Sequence, residues 1–204
     1  MSVLQVKLKD NSLVDVIINS GDIVIDCGAN IGDITNLFIN HGAIVLAYEP
    51  NDRAFDVLSN RFKNNRNVRC FKAAVSSSDG VSKLYMHQKS PEDPLKYSTG
   101  SSLVSEKSNV NIDDYVEVKT IDLNRIIQKI KNKFKKNIQV LKIDIEGAEC
   151  DLLEHLLDNG ALHDIPYVFV ETHEKKIPSL RPATEEIKRR VQEENLKNIN
   201  FKWI

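Results

Sequence analysis

The stretch VIDCGANIGD, Val24 to Asp33, decides how the rest of the chain is read. An apolar run that ends in an acidic residue, passes through small residues and enters a helical pattern is a buried strand turning into a helix. In an open α/β sheet such a turn lies at the carboxyl end of the strands, where ligands meet main-chain N–H groups. Asp26, Gly28, Ala29, Asn30 and Gly32 are the candidate binding residues there.

Downstream, DITNLFINHG (Asp33 to Gly42) places Ile34, Leu37 and Phe38 on one helical face, with Gly42 ending the helix. AIVLAYEP is a second strand, closed by Pro50. Glu49 at its end, 21 positions after Gly28, is placed to accept hydrogen bonds from both ribose hydroxyls of an adenosine. Two cofactor classes share this layout. In the dinucleotide fingerprint GxGxxG the second and third glycines let the chain approach a pyrophosphate and pack the helix closely. Counting from Gly28, those positions hold Asn30 and Asp33, a side chain and a carboxylate that both oppose a diphosphate. S-adenosylmethionine has no phosphate, and its sulfonium and ammonium tolerate Asp26 and Asp33.

The alternation of short Val/Ile-rich runs with longer helical patterns continues through most of the chain and predicts an α/β fold of strands joined by crossover helices in a mostly parallel sheet. Asn51 caps a helix carrying Ala54, Phe55, Leu58 and Phe62, which NNRN stops, and VRCFKAAV is a third strand. Residues 76–115 are turn-rich (SSSDG, SPEDP, STGSS) with one alternating run, Val81 to Gln88, and read as an insertion with a small strand and a mobile loop. Tyr115 to Leu123 is extended and leads into an amphipathic helix with Leu123, Ile126, Ile127 and Ile130 on one face, ending in a solvated KNKFKK. IQVLKID is a fourth strand, followed by a helix from about Ala148 to Asn159. YVFVETH is a fifth strand; a charged helix from Thr184 and a short final strand, INFKWI, follow.

At 204 residues with 41% hydrophobic content, one domain spanning 1–204 is expected. The 28 basic residues against 29 acidic ones leave a net charge of -1, so no global field favours nucleic acid or an anionic membrane. The N-terminus lacks a signal-peptide core, and no run approaches the roughly 18 apolar residues of a spanning helix, so a cytoplasmic protein is expected. Cys27, Cys70 and Cys150 are odd in number without CxxC spacing, and read as reduced thiols.

With VLKIDIEGAE (Val140 to Glu149) added, the chain resembles the FkbM-type methyltransferases, a branch of the class I Rossmann-like methyltransferases. The likeness runs from about Gly21 to about His173 and rests on VIDCGANIGDIT, YEPN, AAVSSSDG, TGSSL (Thr99 to Leu103), KIDIEGAE and VFVETH. The resemblance implies the Rossmann-like, doubly wound class I methyltransferase sheet with helices on both faces, S-adenosylmethionine as cofactor, and usually O-methylation of a hydroxyl on a sugar, glycan or other natural product. It implies Asp26, Gly28, Asn30 and Gly32 around the methionine part and Glu49 on the ribose. The adenine neighbourhood falls on Ala73, Ala74, Val75 and Ser76, where main-chain or serine contacts are expected. Ser101 and Ser102 either close over the cofactor or form a polar turn. The short C-terminus leaves room for one final strand. Few residues precede Gly21, so acceptor recognition is expected to draw on a partner or a second subunit, as a homo-oligomer.

Methyl transfer from a sulfonium is an in-line displacement helped by a base when the acceptor is an alcohol. Asp144 and Glu146 follow the fourth strand, beside the methyl end of a cofactor bound across the first, and either could accept a hydroxyl proton. Glu171 and His173 close the fifth strand next door. Lys142 is an ion-pair candidate on a buried strand, and Glu149 suits a helix start. His173 is either a base titrating near neutrality or a loop histidine with no catalytic duty. Asp144, Glu146 and His173 offer ligands for a divalent ion, but spacing across two strands cannot show convergence, so no metal is assigned. The rival readings are a nicotinamide-dependent oxidoreductase and a non-catalytic methyltransferase-like binding protein.

Overall fold

The computed structural model describes residues 1–134 and 137–203, without the side chains of residues 133 and 134. The first structured element is one the sequence left unassigned. β1 (Ser2–Lys7) and β2 (Leu13–Ile18) form an antiparallel hairpin whose alternation buries Leu4, Val6, Val16 and Ile18. Its turn reaches the far end of the chain, through Lys9 N–H to Lys202 O at 2.9 Å and Lys202 to Asp10 at 2.7 Å.

The main sheet has six strands, all parallel: β3 (Ile23–Cys27), β4 (Ile44–Tyr48), β5 (Val68–Phe71), β9 (Ile138–Ile143), β10 (Tyr167–Val170) and β11 (Ile199–Asn200). Their order is β11-β10-β9-β3-β4-β5. The chain winds outward from β3 through β4 to β5, then restarts at β9 on the other side of β3. The loops after β3 and β9 therefore diverge, and their parting opens a crevice at the carboxyl ends of the strands. β3, the stretch that decided the reading, is buried on every residue, as a central strand covered on both faces must be.

Helices α1 (Asp33–Asn40) and α2 (Asp52–Phe62) share one face with the hairpin, in a core that includes Phe38, Leu58, Phe62 and Trp203. Helices α3 (Leu123–Phe134), α4 (Glu149–Asp158) and α5 (Arg181–Glu193) cover the other, around Leu123, Ile127, Leu152, Leu156 and Ile187. Asn51 caps α2 as expected, accepting from Arg53 and Ala54 N–H. α5 starts three residues before Thr184, because Pro182 is accommodated in a first helical turn that has no partner for its missing N–H. Of KNKFKK, Lys131 pairs with Asp164, and residues 133–136 carry the part of that expectation outside the described side chains.

VRCFKAAV is two strands rather than one. A tight turn, Ala73 N–H to Phe71 O at 3.0 Å, ends β5 and redirects the chain into β6 (Ala74–Ser76), which belongs to a separate sheet of order β6-β8-β7. β7 (Gly80–His87) and β8 (Val110–Asp122) pair antiparallel, so the insertion is more strand than expected, and β8 begins five residues before Tyr115. Between them residues 88–109 loop back over the crevice. Among the described residues no helix is long and apolar enough to cross a membrane.

Candidate active site

With the segment above it folded down, the crevice encloses a cavity of about 80 Å³, less than the roughly 300–1,000 Å³ usual for a small-molecule site. Gly28, Asn30, Glu49, Asn51, Ala74 and Asp144 line it, with Tyr48, Ala73, Val75, Ile145 and Glu146 completing the walls and Ser98, Thr99, Ser101 and Leu103 the roof.

The floor is the crossing of the two diverging loops. Gly28 lies at φ +76°, and a Cβ there would sit 1.8 Å from the main-chain oxygen of Asp144, so only glycine lets the loop after β3 pass the end of β9. Asn30, also left-handed at φ 48°, donates its N–H to Glu49 Oε2 at 2.8 Å, and Asn51 N–H reaches the other oxygen at 2.7 Å. Glu49 thus knits two loops together while facing the cavity; burial, against these hydrogen bonds, pushes it up to about 7.

Four expected contacts lie behind this wall. Asp26 is completely buried, with Thr35 Oγ1 donating to one oxygen at 2.7 Å and Lys142 Nζ 3.3 Å from the other. Ala29 packs in the core. Gly32 serves helix packing, since a Cβ there would meet Phe62 at 2.5 Å and Leu58 at 2.7 Å. Ser102 turns its hydroxyl to Glu146 O at 2.5 Å, tying the roof to the loop after β9 instead of facing the cavity. For Asp26 the reason is Lys142. Its ammonium, also buried, donates to Gly28 O at 2.7 Å and Cys27 O at 3.2 Å and lies 3.5 Å from Asp144 Oδ2. Burial opposes that charge, but Asp26 and then Asp144 outweigh it and hold the lysine protonated.

The loop after β9 is strained where the chemistry gathers. Glu146 sits at φ 57° and is followed by Gly147 at φ 118°. Glu149, expected only to suit a helix start, is what fixes this turn: its carboxylate accepts from Ile145 and Gly147 N–H and from His173 Nδ1, the last at 3.0 Å. The other ring nitrogen of His173 faces Glu146 Oε2 at 3.2 Å and Asp144 Oδ1 at 3.9 Å. Lys107, from the insertion, reaches the same Glu146 oxygen at 2.5 Å.

These neighbours separate the three acidic and basic candidates. His173 is 2% exposed, and although burial disfavours its charge, Glu146 and Glu149 raise it to about 10. Raised so far, it keeps its proton at neutral pH and bridges the two glutamates. Glu146 is lowered to about 2, because His173 and Lys107 outweigh its burial. Asp144 is pushed the other way, up to about 6, by burial and then by Glu171 and Glu146, with Lys142 pulling it down. With Glu49 it is one of two wall carboxylates raised towards neutrality, and it is the one whose oxygens are not both taken up by main-chain N–H groups.

One ligand atom from each of Asp144, Glu146 and His173 lies within 4.8 Å of the others, a convergence that spacing could not show. Lys107 and Lys142 nevertheless stand on the Glu146 and Asp144 oxygens, so ammonium groups already supply the positive charge that a metal would bring. The protonated clamp has a signed consequence. His173, raised from 6.5, contributes stability that is complete below pH 6.5 and is lost as pH rises towards 10; Glu146, lowered from 4.5, contributes above pH 4.5 and loses its share towards pH 2. The difference in Tm between the unmodified protein and His173→Gln is therefore expected to peak between pH 4.5 and 6.5 and to shrink on either side. A difference that grows above pH 7 contradicts the clamp.

A model of the methyltransferase FkbM domain matches residues 26–197, most of the chain. The chain belongs to the FkbM methyltransferase family. It is 26% identical over 195 residues to methyltransferase sdnD of Sordaria araneosa, covering 81% of this chain and 71% of that one. The FkbM methyltransferase of Methylobacillus flagellatus KT, a solved structure, shares the fold with a TM-score of 0.52 at 16% identity; the likeness covers 85% of this chain and 38% of that longer one. The FkbM domain so matched contains both the β3 turn and KIDIEGAE, so the residues that meet in the crevice all lie within it.

Sequence reasoning missed Lys107, Asn51 as a link to the roof, and the depth of Glu149. Lys107 had no signal to give, lying in a turn-rich segment among other charged residues.

Proposed function

We propose that this FkbM methyltransferase transfers the methyl group of S-adenosylmethionine to a hydroxyl oxygen on a sugar, glycan or other natural product. The observation that carries the reading is the charge set at the crevice floor. Asp26, Glu49, Asp144, Glu146 and Glu149 stand with Lys142, Lys107, Lys176 and the protonated His173, five carboxylates against four cations, with Glu171 paired to Lys9. One negative charge is left over, matching the single net positive charge of S-adenosylmethionine and opposing a pyrophosphate. The floor at Gly28, packed against the main chain of Asp144, and the apolar wall at Ala74 suit the methionine part and the adenine respectively.

When bound, the cofactor supplies an electrophilic methyl group. The protein supplies position, dryness and a proton acceptor. Gly28, Asn30 and Glu49 would hold one reactant against the β3 turn, and Ile145 with the roof excludes water. Asp144 would accept the proton of the acceptor hydroxyl while the hydroxyl oxygen takes the methyl carbon and the carbon–sulfur bond breaks to leave S-adenosylhomocysteine, and Lys142 keeps that carboxylate ionised and oriented. Glu146, held by Lys107 and His173, stays ionised throughout and fixes the loop. The test is incubation with methyl-labelled S-adenosylmethionine and a panel of hydroxylated sugars and lipids. Label is expected in an ether stable to mild base; label confined to amine-bearing compounds contradicts oxygen as the target.

A further inference from the structure

The segment from Ser98 to Lys107 forms the roof of the crevice, and it is stitched to each loop below it. Asn30 Nδ2 donates to Ser98 Oγ at 2.9 Å and Asn51 Nδ2 to Ser101 Oγ at 3.2 Å. Ser102 Oγ donates to Glu146 O, and its main chain pairs with Tyr85. These are neutral bonds, which water replaces at little cost when a loop lifts. The last tie differs. Lys107 turns back beneath its own segment, 2% exposed, with Nζ donating to Gly100 O at 2.8 Å and to Glu146 Oε2 at 2.5 Å. A buried ammonium on a carboxylate is favourable only while both partners stay in place, since separating them inside leaves each charge unmatched.

We infer that Lys107 is a positioning residue that latches the Ser98–Lys107 segment over the crevice through Glu146, and so sets how long the cofactor stays bound. The inference rests on the cofactor reading above. Lys107 touches no reacting atom. Its partner Glu146 is on the cavity wall and is held from the other side by His173, so the latch closes on a carboxylate that is itself fixed. With the latch shut, roof and floor are joined across the mouth. With it broken, the neutral stitches alone keep the segment down, and release should quicken while entry changes little.

The test is stopped-flow binding of S-adenosylhomocysteine to the intact protein and to Lys107→Met, Glu146→Gln and the double variant. Lys107→Met and Glu146→Gln are each expected to raise the dissociation rate by about tenfold, with association within about threefold, and the double variant to be no faster than the faster single. A dissociation rate within about twofold of the unmodified protein, or a double variant equal to the product of the singles, overturns the latch. Should Lys107→Met fail to fold, Glu146→Gln removes the charge at the other end of the same tie while keeping the shape of the side chain. It is expected to speed release by about tenfold on its own, and an unchanged rate overturns the latch. An unmodified protein that binds no S-adenosylhomocysteine overturns the cofactor reading along with the inference, whereas binding with unaltered release overturns the latch alone.

Discussion

Asp144→Asn is expected to lower methyl transfer by about 10²- to 10⁴-fold while S-adenosylhomocysteine affinity stays within about threefold. The substitution keeps the shape of the side chain and the main-chain hydrogen bond from Asp144 to Cys27 O, so the crossing of the two loops survives. What it removes is the acceptor proposed for the hydroxyl proton. The pH profile sharpens the expectation. Burial, with Glu171 and Glu146, pushes Asp144 up to about 6 against the pull of Lys142, and a base acts only when deprotonated. The rate of the unmodified enzyme should therefore rise with pH through about 6 and level off above it, and this acid limb should vanish from the residual rate of Asp144→Asn. Turnover unchanged by the substitution, measured with any acceptor found by labelled-methyl screening, shows that this carboxylate is not the base.

Gly28→Ala is expected to have the larger effect on the fold. The added Cβ meets a main-chain oxygen at 1.8 Å, not the free end of a side chain, and the residue is held at φ +76°, where alanine is strained. Either β3 or the end of β9 must move, and Lys142, which holds Gly28 O and Asp144 together, resists both movements. A loss of about 3 kcal/mol or more follows, or a fall in Tm of about 6 to 12 °C for a chain of this size, with loss of S-adenosylhomocysteine binding. Thermal unfolding with calorimetry checks it. A Tm within about 2 °C of the unmodified protein contradicts the crossing described above.

The architecture was legible because its signals are local. Val24 to Asp33 announces a buried strand and a turn, Asn51 a cap, and KIDIEGAE a second strand end of the same kind, so the parallel sheet and its crevice follow from pattern alone. Where the reading went astray, local pattern and tertiary use diverge. VRCFKAAV has the composition of one strand but serves two sheets, and nothing in its residues marks the turn at Lys72. The N-terminal hairpin was written in the alternation of Leu4, Val6, Val16 and Ile18 around a DNS turn, a signal present and unused.

The site was legible as a set of carboxylates and illegible as a set of roles. Spacing places Asp26, Asp144 and Glu146 at strand ends but cannot say which faces the cavity. That is decided by Lys142, which occupies Asp26 from a neighbouring strand, and by Lys107, which arrives from 39 residues away to hold Glu146 ionised. His173 likewise reads as either a base or an idle loop histidine, and in the fold it lies between Glu146 and Glu149, which raise it to about 10. Long-range charge partners, absent from any local window, set the protonation state of each group.

The central claim is that the crevice between the turns after β3 and β9 takes S-adenosylmethionine and its demethylated product, not a dinucleotide. Titration calorimetry of the intact protein with S-adenosylhomocysteine, and separately with NAD, tests it most directly. The expected result is saturable heat with S-adenosylhomocysteine, lost in Gly28→Ala and kept in Asp144→Asn, and none with NAD. Heat with NAD and none with S-adenosylhomocysteine at high concentration contradicts it.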